Sequence, residues 1–248
     1  MNPILIGLDD TDNETSRGTG YRARCLAREL ERAGLGIVAG VTRHQLLVDD
    51  AIPYTSHNSS ACLSLTPRQR DGLPAIIQCC RSFLLGSAAD GSDVGLCAAS
   101  AARAANVQEF GRSAQREVLQ RAQAEELARV EEIFLEGLTG DHQGKIGALA
   151  AVGLYSSGDD GRYIWVKGIR ELEDETVSLR DLRRMTGVEV IRTFDGVLVN
   201  DGAAMIQLGP WPRPIRESGK ATLLVEKNHG GDARWKVVDK EAIKACRP

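Results

Sequence analysis

The chain has 248 residues and a mass of 26.8 kDa, with 42% hydrophobic and 26% charged residues. At about 100–200 residues per domain, this length favours two compact domains. Because 31 Lys and Arg face 34 Asp and Glu, the net charge is −3, which excludes a chain-wide basic field for nucleic acid or anionic lipid. No stretch approaches the roughly 20 apolar residues of a membrane-spanning helix, so the sequence predicts a cytoplasmic protein without a membrane partner.

The chain opens with a predicted strand, an acidic loop and a helix. Residues 4–8 form a short apolar run that is typical of a buried strand. Asp9, Asp10, Thr11 and Asp12 follow this run directly. A polar loop then leads into an amphipathic helix that we predict over residues 21–32.

The middle of the chain continues the alternation of strands and helices. Strands are predicted over residues 36–48 and 61–65, with a polar loop between them. A helix is predicted over residues 73–85, and a break rich in Gly, Ser and Asp follows at residues 86–93. A long amphipathic helix over residues 113–138, either continuous or interrupted, would then form a hinge between two lobes.

The second half predicts a helix of small apolar residues over 144–153, a strand over 163–167 and a helix over 178–185 that Ser178 caps. Further strands are predicted at residues 188–192, 205–208, 222–225 and 235–238, before a short final helix. The predicted fold class is therefore an α/β lobe over residues 1–110 followed by an α+β lobe over residues 111–248, with the functional site in the cleft between them.

Three carboxylates in four residues, those of Asp9, Asp10 and Asp12, repel one another unless a cation or hydrogen-bond donors lie between them. Mg²⁺ takes one or two carboxylates together with substrate phosphates, so this loop predicts a magnesium nucleotide site with these three residues as ligands. An Asx-rich turn or a helix cap is the structural alternative. A haloacid-dehalogenase-type phosphatase does not match, because Glu14 takes the place of its Thr or Val.

Two further segments carry groups that suit phosphate. Amides at a helix N-terminus attract phosphate, and guanidinium and amide side chains hold or orient its oxygens. For Arg43 and the loop at residues 57–59, the alternative interpretation is a hydrogen-bonded loop with a surface arginine. The candidates are Arg17, Gly18, Thr19 and Gly20 before the first helix, Arg43 on the second strand, and His57, Asn58 and Ser59 in the loop after it.

The ordered set of motifs resembles the archaeal isoleucine-tRNA 2-agmatinylcytidine synthetase family. The resemblance covers most of the chain, through GLDDTDN at residues 7–13, IPYTSHNSSA at 52–61, GKIGALAAVG at 144–153, RTFDG at 192–196 and GPWPRPIRESG at 209–219. In that family the aspartate loop serves a kinase-like domain that uses Mg-ATP. The later motifs belong to a ferredoxin-like domain that helps to form the agmatine site.

The resemblance implies ATP and Mg²⁺ as cofactors, a kinase-like domain over residues 1–110 and a ferredoxin-like domain over residues 111–248. Thr11 would then contact the magnesium nucleotide with its acidic neighbours. Gly144, Lys145, Gly147 and Asp195 would border the small-molecule pocket. The implied catalytic residues are Asp9, Asp10, Asp12, Thr19 and Arg43.

Two departures from the family pattern narrow this expectation. Family members follow the aspartate loop with a Cys-Thr-Thr-Tyr-like run whose threonine takes phosphate, whereas residues 17–21 keep only Thr19, so the sequence does not predict autophosphorylation. The OB-fold and the zinc ribbon that grip tRNA, with the paired CxxC of the ribbon, are also absent from these 248 residues. We therefore expect no tRNA binding by this chain alone.

The sequence predicts an enzyme that uses ATP and Mg²⁺ to activate a small molecule by phosphoryl or nucleotidyl transfer, with a cationic amine as one class of acceptor. A non-catalytic protein that binds a nucleotide or a cationic amine is the alternative. An adaptor that delivers tRNA through a partner with the absent domains is the third. Self-association is left open.

Overall fold

The computed structural model describes residues 2–52 and 57–246, and it divides into two compact units, Met1–Ser157 and Gly158–Pro248. No helix in this described part of the chain is long and apolar enough to cross a bilayer. The elements of the first unit are β1 (Ile4–Asp9), α1 (Thr19–Arg32), β2 (Gly36–Gln45), β3 (Ser59–Pro67), α2 (Leu73–Ser87), β4 (Gly95–Ser100), α3 (Ala101–Ala104), α4 (Gln108–Ser113), α5 (Arg121–Val130), β5 (Phe134–Gly137) and α6 (Gly144–Ser157).

The strands of the first unit form an antiparallel sheet in the order β5–β4–β1–β3–β2. β1 is the central strand, in which Ile6 lies opposite Leu63 of β3 and Ala98 of β4. Residues Ile4 to Leu8 are buried, as their apolar sequence predicts. The mixed α/β composition is thus confirmed, while the antiparallel pairing is typical of an α+β unit rather than of a parallel α/β unit.

Helix α6 packs very closely on this sheet because glycines face it. A Cβ atom on Gly7 of β1 would come 2.0 Å from the carbonyl oxygen of Ala148, and one on Gly95 of β4 would come 2.0 Å from that of Gly144. Only glycine lets the helix backbone approach the strands to this distance. The first turn of α6 consequently lies beside the end of β1 and the start of β4.

The prediction of one long helix over residues 113–138 is wrong. α4 ends at Ser113, α5 spans only Arg121–Val130, and β5 pairs with β4 at the edge of the sheet. Glu132, with φ of +50°, has a left-handed conformation that a helix cannot continue through. Tertiary pairing of β5 therefore overrides the helical periodicity of the sequence.

The division of the chain lies after Ser157 rather than near residue 110. The cause is that β5 and α6, which follow residue 110, complete the sheet and the core of the first unit. The segment that was expected to be a hinge lies inside this unit.

The second unit contains β6 (Arg162–Val166), β7 (Thr176–Ser178), α7 (Leu179–Met185), β8 (Val190–Arg192), β9 (Met205–Gln207), β10 (Ile215–Glu217), β11 (Lys220–Lys227), β12 (Trp235–Val237) and α8 (Lys240–Cys246). Its strands follow the order β6–β10–β11–β12–β9–β7, with β8 parallel to β11 and β9 parallel to β12. The expected cap is confirmed, since Ser178 Oγ accepts the amide of Asp181 at 3.1 Å. The ferredoxin-like assignment stays a prediction.

Candidate functional site

The acidic loop lies at the edge of the sheet where β1 ends and β4 begins. β4 is antiparallel to β1, and Asp9 lies opposite Gly95. Residues just before β4 are therefore neighbours of residues just after β1. This register brings Asp93 beside Asp9 and Asp10, in a cluster that also includes Asp12.

Backbone amides connect the carboxylates of this cluster. The Asp9 carboxylate accepts a hydrogen bond from the backbone of Asp10, and the Asp10 carboxylate accepts one from the backbone of Asp93. Asp93 Oδ2 in turn accepts the amide of Gln143, just before α6, at 2.9 Å. The other oxygen, Asp93 Oδ1, is buried and has no hydrogen-bond partner among the described residues.

The electrostatics of the cluster favour bound protons or a cation. Asp9 and Asp10 both keep some contact with solvent, but the surrounding protein desolvates them. Burial, and then the charge of Asp10, raise the pKa of Asp9 well above its ordinary value. Burial and the charges of Asp93 and Asp12 raise the pKa of Asp10 to about 6. A bound cation would reverse this effect by stabilising the ionised carboxylates.

Asp12 caps the first helix. Its Oδ1 accepts the amide and the hydroxyl of Thr19, both at 2.8 Å, while Gly18 at the N-cap position offers no side chain. The Thr19 hydroxyl oxygen also accepts the hydroxyl of Thr11 at 3.1 Å. The helix-cap alternative therefore describes Asp12, and the first amide of α1 is bonded within the chain instead of facing a phosphate.

The acidic cluster lines a cavity of about 570 Å³ in the first unit. This volume is within the usual range for small-molecule sites. Among the described residues that line it, none is Lys or Arg. The lining consists of Asp9, Asp10, Asp12, Asp93 and Glu117; the polar Thr19, His57, Asn58, Ser59, Gln120 and Gln143; the apolar Leu46, Ala51, Ile52, Ala114, Val118, Leu119 and Ile146; and Gly91, Gly144 and Gly147.

Nine of the candidate site residues that the sequence predicts line this cavity, and the remaining candidates do not. Arg43 donates to Ser59 Oγ at 3.0 Å, and Lys145 forms an ion pair with Glu125 at 2.8 Å. The guanidinium of Arg17 lies over the ring of Tyr21, 4.6 Å from its centroid. Thr11, Gly18 and Gly20 support α1 or its first turn and do not line the cavity.

The polar loop before β3 is partly structural. Asn58 lines the cavity, yet its amide donates to the carbonyl of Leu47 at 2.7 Å, as the hydrogen-bonded loop alternative expects. His57 is exposed at the cavity. Residues 53–56 of the same motif lie outside the described residues. Asp195 belongs to the second unit, where it accepts the hydroxyl of Thr193, and its role stays a prediction.

Four polar lining residues, Asp93, Glu117, Gln120 and Gln143, were not predicted from the sequence. Asp93 could have been found, because it directly precedes the apolar run of β4 just as Asp9 follows that of β1. Antiparallel pairing of two such strands brings their acidic ends together. Glu117 and Gln143 carry no comparable signal, since each reaches the cavity through the path of a loop.

The donor set fits a hard divalent cation. Five carboxylates, those of Asp9, Asp10, Asp12, Asp93 and Glu117, line one cavity, and Asp93 Oδ1 is buried without a hydrogen-bond partner among the described residues. The described residues contain no group of three or more His, Cys, Asp or Glu side chains at metal-binding spacing. A cation would therefore take one or two carboxylates and complete its shell with water and phosphate oxygens, which is the usual mode of Mg²⁺.

Solved structures of TiaS share this fold. No protein-family model and no curated protein matches the sequence. The crystal structure of TiaS in complex with an isoleucine tRNA and ATP is 24% identical, with a TM-score of 0.55, over 62% of this chain and 36% of that chain. Apo TiaS, an agmatidine synthetase of that tRNA, is 23% identical with a TM-score of 0.53 over 61% of this chain and 35% of its own. The complex of TiaS with the tRNA, AMPCPP and agmatine is 23% identical with a TM-score of 0.53, over 62% of this chain and 36% of that chain.

The resemblance that the motifs indicated is thus confirmed at the level of the fold. This chain spans about a third of the length of those proteins, at 35–36%. The likeness covers 61–62% of this chain. Activity, substrates and partners are therefore matters for proposal.

Proposed function

We propose that this chain is an ATP- and Mg²⁺-dependent enzyme that activates a small molecule by phosphoryl or nucleotidyl transfer. The observation that carries the proposal is the acidic cavity, in which Asp9, Asp10, Asp12 and Asp93 meet without Lys or Arg among the described lining residues. Such a site favours a cation over a bare anion, and a divalent cation can bring a polyphosphate with it. TiaS structures of the same fold were solved with ATP and with AMPCPP and agmatine.

The cavity has a lining of carboxylates and a lining of apolar side chains, and the two suit different parts of a magnesium nucleotide. Carboxylates hold the cation, which when bound neutralises charge on the transferring phosphoryl group. Apolar side chains such as Leu46, Val118 and Ile146 offer a surface for a purine ring. Catalysis of this type depends mainly on positioning and electrostatics, so the chain needs no nucleophile of its own.

The acceptor that we propose is a cationic amine. The cavity carries Glu117 in addition to the aspartates, so a second positive group would be stabilised there. Agmatine, which accompanies a TiaS structure, is the probe of this class. Its guanidinium and ammonium groups both suit carboxylates.

The direct test incubates the full chain with ATP and Mg²⁺, with and without agmatine. We expect release of phosphate or of pyrophosphate, and separation of the products identifies the bond of ATP that is broken. Asp10→Asn should abolish this turnover while the far-ultraviolet circular dichroism stays unchanged. Turnover that is equal in the variant and the parent would reject the role of the acidic cluster.

A non-catalytic binding protein is the second candidate, and the Thr19 hydroxyl favours it. This hydroxyl lies where the resemblance places a phosphate-accepting threonine, but it is bonded to Asp12 and Thr11. Calorimetric titration separates the two functions. Binding of Mg-ATP without release of any product, with agmatine or nucleosides supplied, would support the binding protein.

A further inference from the structure

The second unit contains a cavity of its own, with a volume of about 620 Å³. It lies between residues 208–213, which follow β9, and the end of β12 with the start of α8. We propose that this cavity, the tryptophan cavity, binds a small molecule that has a planar aromatic ring and an anionic group. The proposal is independent of the proposed function, because none of the described residues that line this cavity lines the acidic one.

Trp211 forms part of the wall of the tryptophan cavity and has an unfavourable conformation. Its φ is +55°, in the left-handed region that a bulky side chain rarely adopts. The residue is also 39% exposed, although a large apolar ring gains most when it is fully buried. Neither the backbone nor the ring therefore has the placement that stability alone would favour. Strain of this kind persists chiefly where a residue binds or clamps a ligand.

The surrounding chain fixes the position of the indole ring. Pro210 and Pro212 flank Trp211 and limit the freedom of its backbone. The guanidinium of Arg170 lies over the ring, 3.6 Å from its centroid, and Glu173 Oε1 holds that guanidinium at 2.8 Å. The ring is therefore preorganised, so a ligand that contacts it pays little for ordering this side chain.

The floor of the tryptophan cavity is apolar and belongs to the core of the unit. Leu208 is buried in the main hydrophobic cluster, and Val238 and Ile243 are buried in a second cluster beneath α8. Side chains that are packed in this way move little when a ligand enters. An apolar floor beside an indole ring favours a flat aromatic ligand, because pairs of aromatic rings gain stabilisation beyond the area that they bury.

The innermost charge of the tryptophan cavity is positive. Of the four charged residues in the described lining, only Arg213 is half-buried, and its guanidinium lies 5.3 Å from the indole centroid. The other three, Asp239, Lys240 and Glu241, are exposed at the start of α8, where Asp239 Oδ1 accepts the amide of Ala242 at 2.8 Å. A half-buried charge acts more strongly than a solvated one, so the cavity favours an anionic group on its ligand.

Calorimetric titration of the full chain with 1-naphthoate tests the proposal. We expect 1-naphthoate to bind, and 1-naphthylmethylamine, which has the same ring and the opposite charge, to bind about tenfold more weakly or less. 1-Naphthyl phosphate identifies the anion, because tighter binding than that of 1-naphthoate assigns a phosphate and weaker binding assigns a carboxylate, and both results support the site. A chain that binds neither anion at millimolar concentration, or that binds the amine as tightly, overturns the proposal.

Substitution of the ring locates the bound 1-naphthoate. Trp211→Ala should weaken its binding about tenfold or more. Phe194→Ala is the matched control, because Phe194 is an exposed aromatic residue of the same unit that does not line the cavity. If Trp211→Ala does not fold, Trp211→Gly replaces it, since glycine adopts a positive φ without strain. Equal affinities of the ring variant and the control overturn the site.

A charge at the rim gives a second, independent readout. Lys240→Gln should weaken the binding of 1-naphthoate about threefold, because it removes an exposed cation beside the cavity. Lys236→Gln is the control, since Lys236 is similarly exposed and does not line the cavity. Both side chains lie in solvent, so the two variants should melt at the temperature of the parent. Affinity that is the same in both variants overturns the anionic part of the proposal.

Discussion

Asp10 combines a left-handed backbone, with φ of +47°, and a carboxylate crowded by two others. Its pKa rises to about 6 in the folded chain, whereas an unfolded chain has a value of about 3.9. Between about pH 4 and 6 the folded state therefore keeps a proton that the unfolded state has lost. Stability falls as the pH rises through this window, and the loss is complete above it.

This linkage predicts how Asp10→Asn changes stability with pH. The variant lacks the titrating group. Its free energy of unfolding should therefore rise relative to that of the parent as the pH rises from about 4.5 to 7 without metal. Urea denaturation at several pH values measures the difference. Mg²⁺ should shrink the difference at pH 7, because it stabilises the parent's ionised carboxylate. A difference that is the same at every pH contradicts the raised pKa.

Asp12→Ala should destabilise the chain by about 1–2 kcal/mol, since it removes the cap of α1. The free energy of unfolding in urea measures this loss. Glu14→Ala is the control, because Glu14 is exposed in the same loop and should change stability by less than about 0.5 kcal/mol. Equal effects of the two substitutions would exclude the cap.

At the level of whole elements, the contact between α6 and the sheet sets the position of the site. The Asp93 backbone oxygen lies where a Cβ on Gly144 would be, at 2.1 Å, and Asp9 fills the corresponding space at Gly147. The small residues of α6 therefore position the helix against the aspartates as well as against the core. Sequence reasoning predicts the helix from its composition, but it cannot predict this contact.

Gly7→Ala tests the close approach of α6. The new methyl group would come 2.0 Å from the backbone oxygen of Ala148, so the helix must shift. We expect a loss of about 3 kcal/mol or more in the free energy of unfolding. Gly86→Ala is the matched control, because nothing lies within 4 Å of its Cβ position in α2, and it should stabilise the chain by up to about 1 kcal/mol. A Gly7→Ala variant as stable as the parent would contradict the contact.

The sequence predicts features that depend on local interactions, and it misses features that depend on pairing between distant segments. Periodicity and apolar runs are local, so β1, α1, α2, α6 and the cap at Ser178 are confirmed within a few residues. β5 was missed because its strand state depends on pairing with β4. Asp93 was missed because no strand was predicted over the apolar run that follows it, which is β4, and the register of β1 and β4 brings it to Asp9. Local chemistry thus indicated the acidic loop, and tertiary register supplied its partner.

Over the whole molecule, each unit has a hydrophobic core of its own. In the first unit a cluster around Leu149 and Val152 lies between α6 and the sheet. In the second, a cluster around Leu182, Ile191 and Leu223 joins α7 to its strands. Separate cores are the condition for separate folding. The division after Ser157 is therefore a natural place to cut the chain.

A fragment of residues 1–157 should fold and retain the proposed nucleotide site. We expect the site to be retained because every described residue that lines the acidic cavity falls between Asp9 and Gly147. We expect cooperative thermal unfolding, and binding of AMPCPP with Mn²⁺ within about threefold of the affinity of the full chain, by calorimetry. The same fragment with Asp10→Asn should not bind the nucleotide and serves as the control. A fragment that folds but does not bind AMPCPP would show that the second unit contributes ligands to the site.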